Sequence, residues 1–118
     1  MIRPTVLTAA ACAALALPAA AETRCGWMAN PTPGNWWLTD RDATWTLSTQ
    51  GTEPTNGWFD VPPWDHGDEW VSVNGHYGYG CACFEGTVDP ASEMVTRVTS
   101  VRALPLSRCD NDPALPPR

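Results

Sequence analysis

The sequence predicts a small all-β domain of about five strands, barrel-like or a compact sandwich, held by two disulfides. Three observations carry that expectation. No segment past the N-terminal leader keeps a 3.6-residue apolar period with caps, whereas Val, Thr, Trp and Tyr recur with the alternation of strands. Nine Gly, together with the twelve Pro of which only Pro4 and Pro18 precede Glu22, cut the chain into short elements. Four of the five Cys lie beyond the leader, two of them as Cys81-Ala82-Cys83.

The elements follow in order. Residues 1–21 read as a removable signal peptide: Met1-Ile2-Arg3-Pro4 is positive, Thr5–Leu17 is apolar, and Ala19-Ala20-Ala21 fits a small-residue cleavage site. This places the domain, residues 22–109, in the periplasm or outside the cell. Residues 25–34 form a rigid extended or turn segment around Asn30-Pro31-Thr32-Pro33-Gly34. Asn35–Ser48 reads as a hairpin turning at Asp40–Ala43, with Leu38 opposite Trp45, Trp36 opposite Leu47, and Trp37, Thr39, Thr44 and Thr46 on the other face. Gln50–Gly67 is a loop, and Glu69–Val73 resumes strand character before a turn at Asn74-Gly75. Tyr77–Val88 is a strand with Tyr77, Tyr79, Cys81 and Cys83 on one face. Its other face, with Gly78 and Gly80, is nearly bare, so a backbone or an aromatic ring can approach it closely. Val95, Val98, Val101 and Leu104 recur every three residues, which fits a bulged strand better than a short helix. Residues 110–118 form a loose tail.

Composition sharpens the class. Residues 22–118 contain five Leu, seven Val, two Phe and no Ile, which is poor for a folded domain, yet they hold all seven Trp. Removing Arg3 leaves six Arg and no Lys against 13 acidic residues, a charge of −7 that disfavours nucleic acid. No 18-residue apolar run follows the leader, so no membrane-spanning helix is expected.

Cys81 and Cys83, two residues apart on one strand, share a face with their Cβ atoms too far apart to bond, since a disulfide requires roughly 3.8 Å. Cys25 and Cys109 therefore each reach one of them, and which reaches which stays open. A bridge from Cys25 closes a loop of about 57 residues, worth ~4 kcal/mol in the chain-entropy model. A four-cysteine metal site would need C-x2–4-C repeats that the chain lacks.

Several runs carry a family resemblance: Cys25-Gly26-Trp27, Asn30-Pro31-Thr32-Pro33-Gly34-Asn35-Trp36-Trp37-Leu38, Asp40-Arg41-Asp42 with Trp45, Asn74-Gly75-His76-Tyr77-Gly78-Tyr79-Gly80-Cys81-Ala82-Cys83, and Leu104-Pro105-Leu106 with Cys109. In these the chain resembles the small exported bacterial proteins grouped as domain of unknown function 4087. Residues 51–70 depart most from that pattern. The resemblance implies export and brings no activity with it.

Chemistry must come from the residues. Trp27, Trp36 and Trp45 are expected in the core, replacing the missing aliphatics. Trp37 faces oppositely to Trp36 and, with Trp58 and Trp64, is the expected exposed aromatic surface. Asp60, Asp65 and His66 accompany it, with Asp68, Glu69 and His76 nearby. The acidic loop reads mainly as solvated, with a weak divalent-ion site as its functional alternative, and its spacing matches no calcium loop. No cofactor and no nucleophilic triad is indicated. The expected function is a non-enzymatic binding domain that engages a cationic protein or a cell-wall glycan through this aromatic and acidic surface. The alternatives are a small envelope hydrolase using Asp65, Asp68 or Glu69, and a structural envelope component without a ligand.

Overall fold

The computed structural model describes residues 2–5 and 20–118, so the leader expected over residues 1–21 lies largely outside the described residues. Six strands run as β1 (Glu22–Asn30), β2 (Trp36–Thr39), β3 (Thr44–Ser48), β4 (Val71–Asn74), β5 (Tyr77–Asp89) and β6 (Met94–Leu104), followed by a short helix α1 (Leu106–Asp110). They form one mixed sheet in the order β1-β2-β3-β6-β5-β4, and β1 also pairs with β5. Five strands thus make a near-closed ring, and β4 adds to the β5 edge beyond the end of β6. Of the two expected architectures, the barrel-like one is realised. Ring closure leaves few strand edges unpaired.

The closing strand is one that local pattern conceals. β1 covers residues 25–30 of the segment expected to be rigid extended or turn (25–34), and it pairs along nine residues with β5, from Glu22 opposite Gly86 to Asn30 opposite Gly78. From Gly26 to Asn30 both of its faces are covered: Met28 points into the ring, and Trp27 lies beneath the C-terminal segment. A strand buried on both sides shows no apolar–polar alternation, so periodicity cannot announce it.

The β2–β3 hairpin keeps the expected pairs Leu38–Trp45 and Thr39–Thr44, then slips by one residue, so that Trp36 faces Ser48 and not Leu47. Leu47 is the extra residue, and it remains fully buried in the core. Ser48 Oγ donates to the Gly34 carbonyl at 2.7 Å, which fixes the shifted end. At the hairpin tip Asp40 is a buried turn organiser. Its Oδ1 accepts from the Asp42 and Ala43 N–H groups at 2.8 and 3.0 Å, and Oδ2 accepts from Arg24 of β1 at 2.8 Å. The ion pair therefore joins β1 to the tip of the β2–β3 hairpin. The Arg24 guanidinium also lies 4.3 Å from the Trp45 ring centroid.

β3 and β6 meet in parallel through one residue pair, Thr46 with Met94. The remaining gap is filled by the loop that leaves β3. Thr55 N–H donates to the Leu47 carbonyl, Thr55 Oγ donates to the Val95 carbonyl at 2.6 Å, and Val98 N–H donates to the Asn56 carbonyl at 2.9 Å. Gly57 follows at φ 87°, and a Cβ there would collide with the Val98 carbonyl, so only glycine lets the loop pass this close.

The three-residue spacing on β6 has a direct cause. Its register against β5 skips Thr99 and Thr96, because Ser100 faces Glu85 while Val98 faces Gly86, and Arg97 faces Thr87 while Val95 faces Val88. Each bulge adds one residue to the two-residue strand period, so Val95, Val98 and Val101 all point inward. No bulge separates Val101 from Leu104, and Leu104 turns to the outer cluster beside Cys81.

Two apolar clusters result. The ring interior holds Met28, Leu38, Trp45, Leu47, Ala82, Phe84, Val95, Val98 and Val101. The outer cluster holds Trp27, Leu104 and three of the disulfide cysteines, with Tyr79, Leu106 and Leu115 packed on it. The bridges are Cys25–Cys83 and Cys81–Cys109, spanning 58 and 28 residues. Residues 110–118, expected to be loose, carry anchoring contacts: Trp27 Nε1 donates to the Pro116 carbonyl at 2.9 Å, and the Arg118 guanidinium lies 5.4 Å from the Tyr79 ring centroid.

Candidate functional site

The β3–β4 connection crosses one end of the ring and lays its aromatic residues there. Trp58 ends up on the first 3₁₀ turn (Trp58–Asp60), and Trp64 follows the rigid Pro62-Pro63 pair. Both pack against the ring interior, as does Trp36 at the start of β2. The three indoles touch pairwise, with centroids 5.6 Å (Trp36–Trp58), 5.7 Å (Trp36–Trp64) and 5.6 Å (Trp58–Trp64) apart. Trp70, just before β4, extends the group to Trp36 at 6.2 Å, and it also meets the His66 ring at 5.0 Å.

Trp36, Trp64 and Trp70 of this group line a cleft of about 520 Å³, together with Asp65, His66, His76, Asn30, Pro63 and Gly67. That size and makeup, mostly apolar with a few polar groups, is typical of a small-ligand site at a barrel mouth. Trp36 and Trp58 also line a second, smaller cleft of about 340 Å³, whose lining includes the exposed Phe59.

His66 is set by the bare face of β5. A Cβ on Gly80 would lie 2.5 Å from His66 Cδ2, so the glycine is what admits the imidazole against the strand. Its Nε2 is buried with no hydrogen-bond partner. Burial is the main influence and holds the ring below the usual histidine range, while the Cys81 backbone and the Asp65 charge offset part of that effect. The folded protein thus keeps the ring neutral at a pH where the unfolded chain binds a proton. Stability is complete above the unfolded value of about 6.5 and declines as pH falls through it toward the lower folded value. Replacing His66 with Phe retains a ring over Gly80 and removes both the orphan nitrogen and the titration. The expected result, read by urea unfolding between about pH 8 and about pH 5 (about 1.5 units to either side of the unfolded value), is a flatter stability profile than wild type. An equally steep profile in the variant overturns this assignment.

The carboxylates have structural tasks of their own. Asp65 Oδ1 accepts from the Gly67 N–H at 2.8 Å, shaping the second 3₁₀ turn (Gly67–Glu69) while its side chain borders the cleft. Glu69 Oε2 accepts from the Leu106 N–H at 2.9 Å, tying this loop to the start of α1. Asp68 is exposed on the same turn, and Asp60 is exposed on the first turn, outside the cleft lining. Among the described residues, no group of three His, Cys, Asp or Glu side chains is placed to hold a metal ion.

The structure therefore brings together Trp58, Trp64, Asp65 and His66, and leaves Trp37 apart. Trp37 faces away from Trp36 on β2, between Ala29 and Thr46, and touches none of these rings. Adjacent strand residues must face oppositely, and here it is the inward-facing Trp36 that emerges at the ring mouth. Trp36, expected wholly in the core, is half-buried and central to the cleft, and Trp70 was not singled out in sequence. The available signal for Trp70 was its position four residues after His66, next to an alternating strand. Its Nε1 donates to the His76 carbonyl at 2.9 Å, which fixes the ring against the β4–β5 turn.

The two disulfides point to an oxidising, extracytoplasmic compartment. No helix among the described residues is long and apolar enough to cross a membrane. No curated protein and no solved structure gives a match to the chain. The sequence profile of one family does, over residues 19–116, which includes every strand, both disulfides and the whole cleft: the chain belongs to the family described as protein of unknown function DUF4087.

Proposed function

We propose that this protein is a non-enzymatic binding module of the periplasm or the cell exterior, which engages a protein or a glycan of the envelope through the aromatic cleft. The observation that carries this reading is the assembly of Trp36, Trp64 and Trp70 with His66, His76 and one carboxylate around a single cleft of about 520 Å³. Half-exposed Trp rings are costly to leave in water, and concave aromatic surfaces recur where partners dock. The rival hydrolase needs two carboxylates facing each other across a cleft. Here Asp65 and Glu69 each accept a backbone N–H, and only Asp65 borders the cleft, which favours binding.

Capture of envelope components on immobilised protein tests the reading. The expected result is that Trp70→Ala loses the retained partner, whereas Trp37→Ala, altered on the other face of β2, retains it. Near-UV circular dichroism verifies that Trp70→Ala is folded. Equal retention by both variants would overturn the proposal.

A further inference from the structure

We infer that the group seated in the cleft is an organic cation of the alkylammonium class. The inference rests on the reading of the cleft as the binding site and adds the chemistry of what it holds. The indole planes are not arranged as a flat platform: Trp36 meets Trp64 at 77° and Trp70 at 43°, and the three differently oriented rings line one cleft. A sugar ring stacks on one flat face, whereas an ammonium with its polarised methyl or methylene groups is attracted to several π-faces at once.

The charges agree. No Arg lines the cleft and the chain has no Lys, so its described lining holds no permanent positive charge. His66 is kept toward its neutral form by burial, and Asp65 supplies a carboxylate at the border. Asp68 and Glu69 follow on the adjoining turn, and the whole chain is at −6. A cation entering here meets a field of opposite sign and aromatic faces that need no counter-ion. A neutral ligand would draw nothing from that charge, and an anion would be repelled by it.

Tryptophan fluorescence and chemical-shift titrations test this with defined probes: choline, Nε-trimethyllysine, the neutral choline isostere 3,3-dimethylbutan-1-ol, and the neutral sugar chitotriose. Both cations are expected to bind and to perturb Trp70 and Trp36, with the isostere weaker by about tenfold. Asp65→Asn, which keeps an acceptor for the Gly67 N–H, is expected to weaken the cations about 3- to 10-fold and leave the isostere unchanged. Trp70→Phe retains a fraction of the cation affinity, and Trp70→Ala abolishes it. Equal affinity for choline and its isostere overturns the inference and shows a merely apolar cleft. Binding of chitotriose in preference to the cations overturns it in favour of a glycan. Should no probe bind while envelope capture still depends on Trp70, the cation inference fails and the cleft remains the binding site. Should capture be independent of Trp70 as well, both readings fail.

Discussion

Replacing Cys25 and Cys83 together with alanine is expected to lower the unfolding free energy by about 4 kcal/mol, measured by urea denaturation under oxidising conditions. The bridge spans 58 residues, and closing a loop of that length removes chain entropy of this size from the unfolded state. The same replacement of Cys81 and Cys109, spanning 28 residues, is expected to cost about 3.5 kcal/mol. A domain of this size has only about 5–15 kcal/mol in total, so removing both pairs should take away about half or more of its stability at 25 °C. The two single losses should also look different. Cys25 sits directly opposite Cys83 on paired strands, so the first variant keeps its β1–β5 ladder and loses mainly entropy. Cys109 lies on α1, and freeing it releases the segment that covers Trp27. That variant should show faster hydrogen exchange and an altered Trp27 indole resonance, whose N–H now donates to the Pro116 carbonyl. A cost below about 1 kcal/mol for either pair would contradict this account of how so aliphatic-poor a chain is stabilised.

Removal of the Asp40 carboxylate should be nearly as damaging. Asp40→Ala is expected to cost about 3 kcal/mol, since it leaves two turn N–H groups without their acceptor and a largely buried Arg24 without its main partner. The lower part of the range for broken buried pairs applies, because Arg24 retains Asp42 at 3.1 Å and Glu22 at 3.3 Å. A double-mutant cycle with Arg24→Met separates the pair from the turn: coupling near zero would mean that the turn bonds alone account for the loss. The pH dependence has a definite sign. Burial pushes the Asp40 carboxyl upward, but the hydrogen bond from Arg24 and those from the Ala43 and Asp42 backbones outweigh it and hold the group below the usual carboxylate range. Its contribution is therefore fully present above the unfolded value of about 3.9 and is lost as pH falls through the lower folded value. Wild-type stability should drop there more steeply than that of Asp40→Ala.

Much of this was legible locally, and the reasons are specific. The Gly78 and Gly80 face of β5 announced a close approach because glycine leaves room, and the His66 ring occupies the space over Gly80. The Val spacing on β6 announced a bulged strand because three residues per inward position cannot come from an unbroken ladder. The Cys-Ala-Cys run announced two bridges to two different segments because residues sharing a strand face cannot bond each other. What stayed hidden depended on neighbours far along the chain. β1 showed no alternation because different partners cover its two faces. Trp36 and Trp37 had to face apart, but which of them would stand beside Trp58 and Trp64 depended on where the β3–β4 loop crosses the ring.

The sequence by itself determined the β class, the number of bridges, the acidic character and the abundance of rings, all of which follow from composition and two-residue periodicity. Only the tertiary structure decided which cysteines pair and which tryptophans form the cleft. Disulfide pairing follows the register of β1 on β5, which sets Cys25 against Cys83 and Trp27 against Cys81, and so leaves Cys81 to Cys109. The cleft follows ring closure: pairing of β1 with both β2 and β5 brings together the end of β1, the start of β2 and the β4–β5 turn, which line it with the long loop. Register and closure are properties of contacts between distant segments, and no local pattern of residues encodes them.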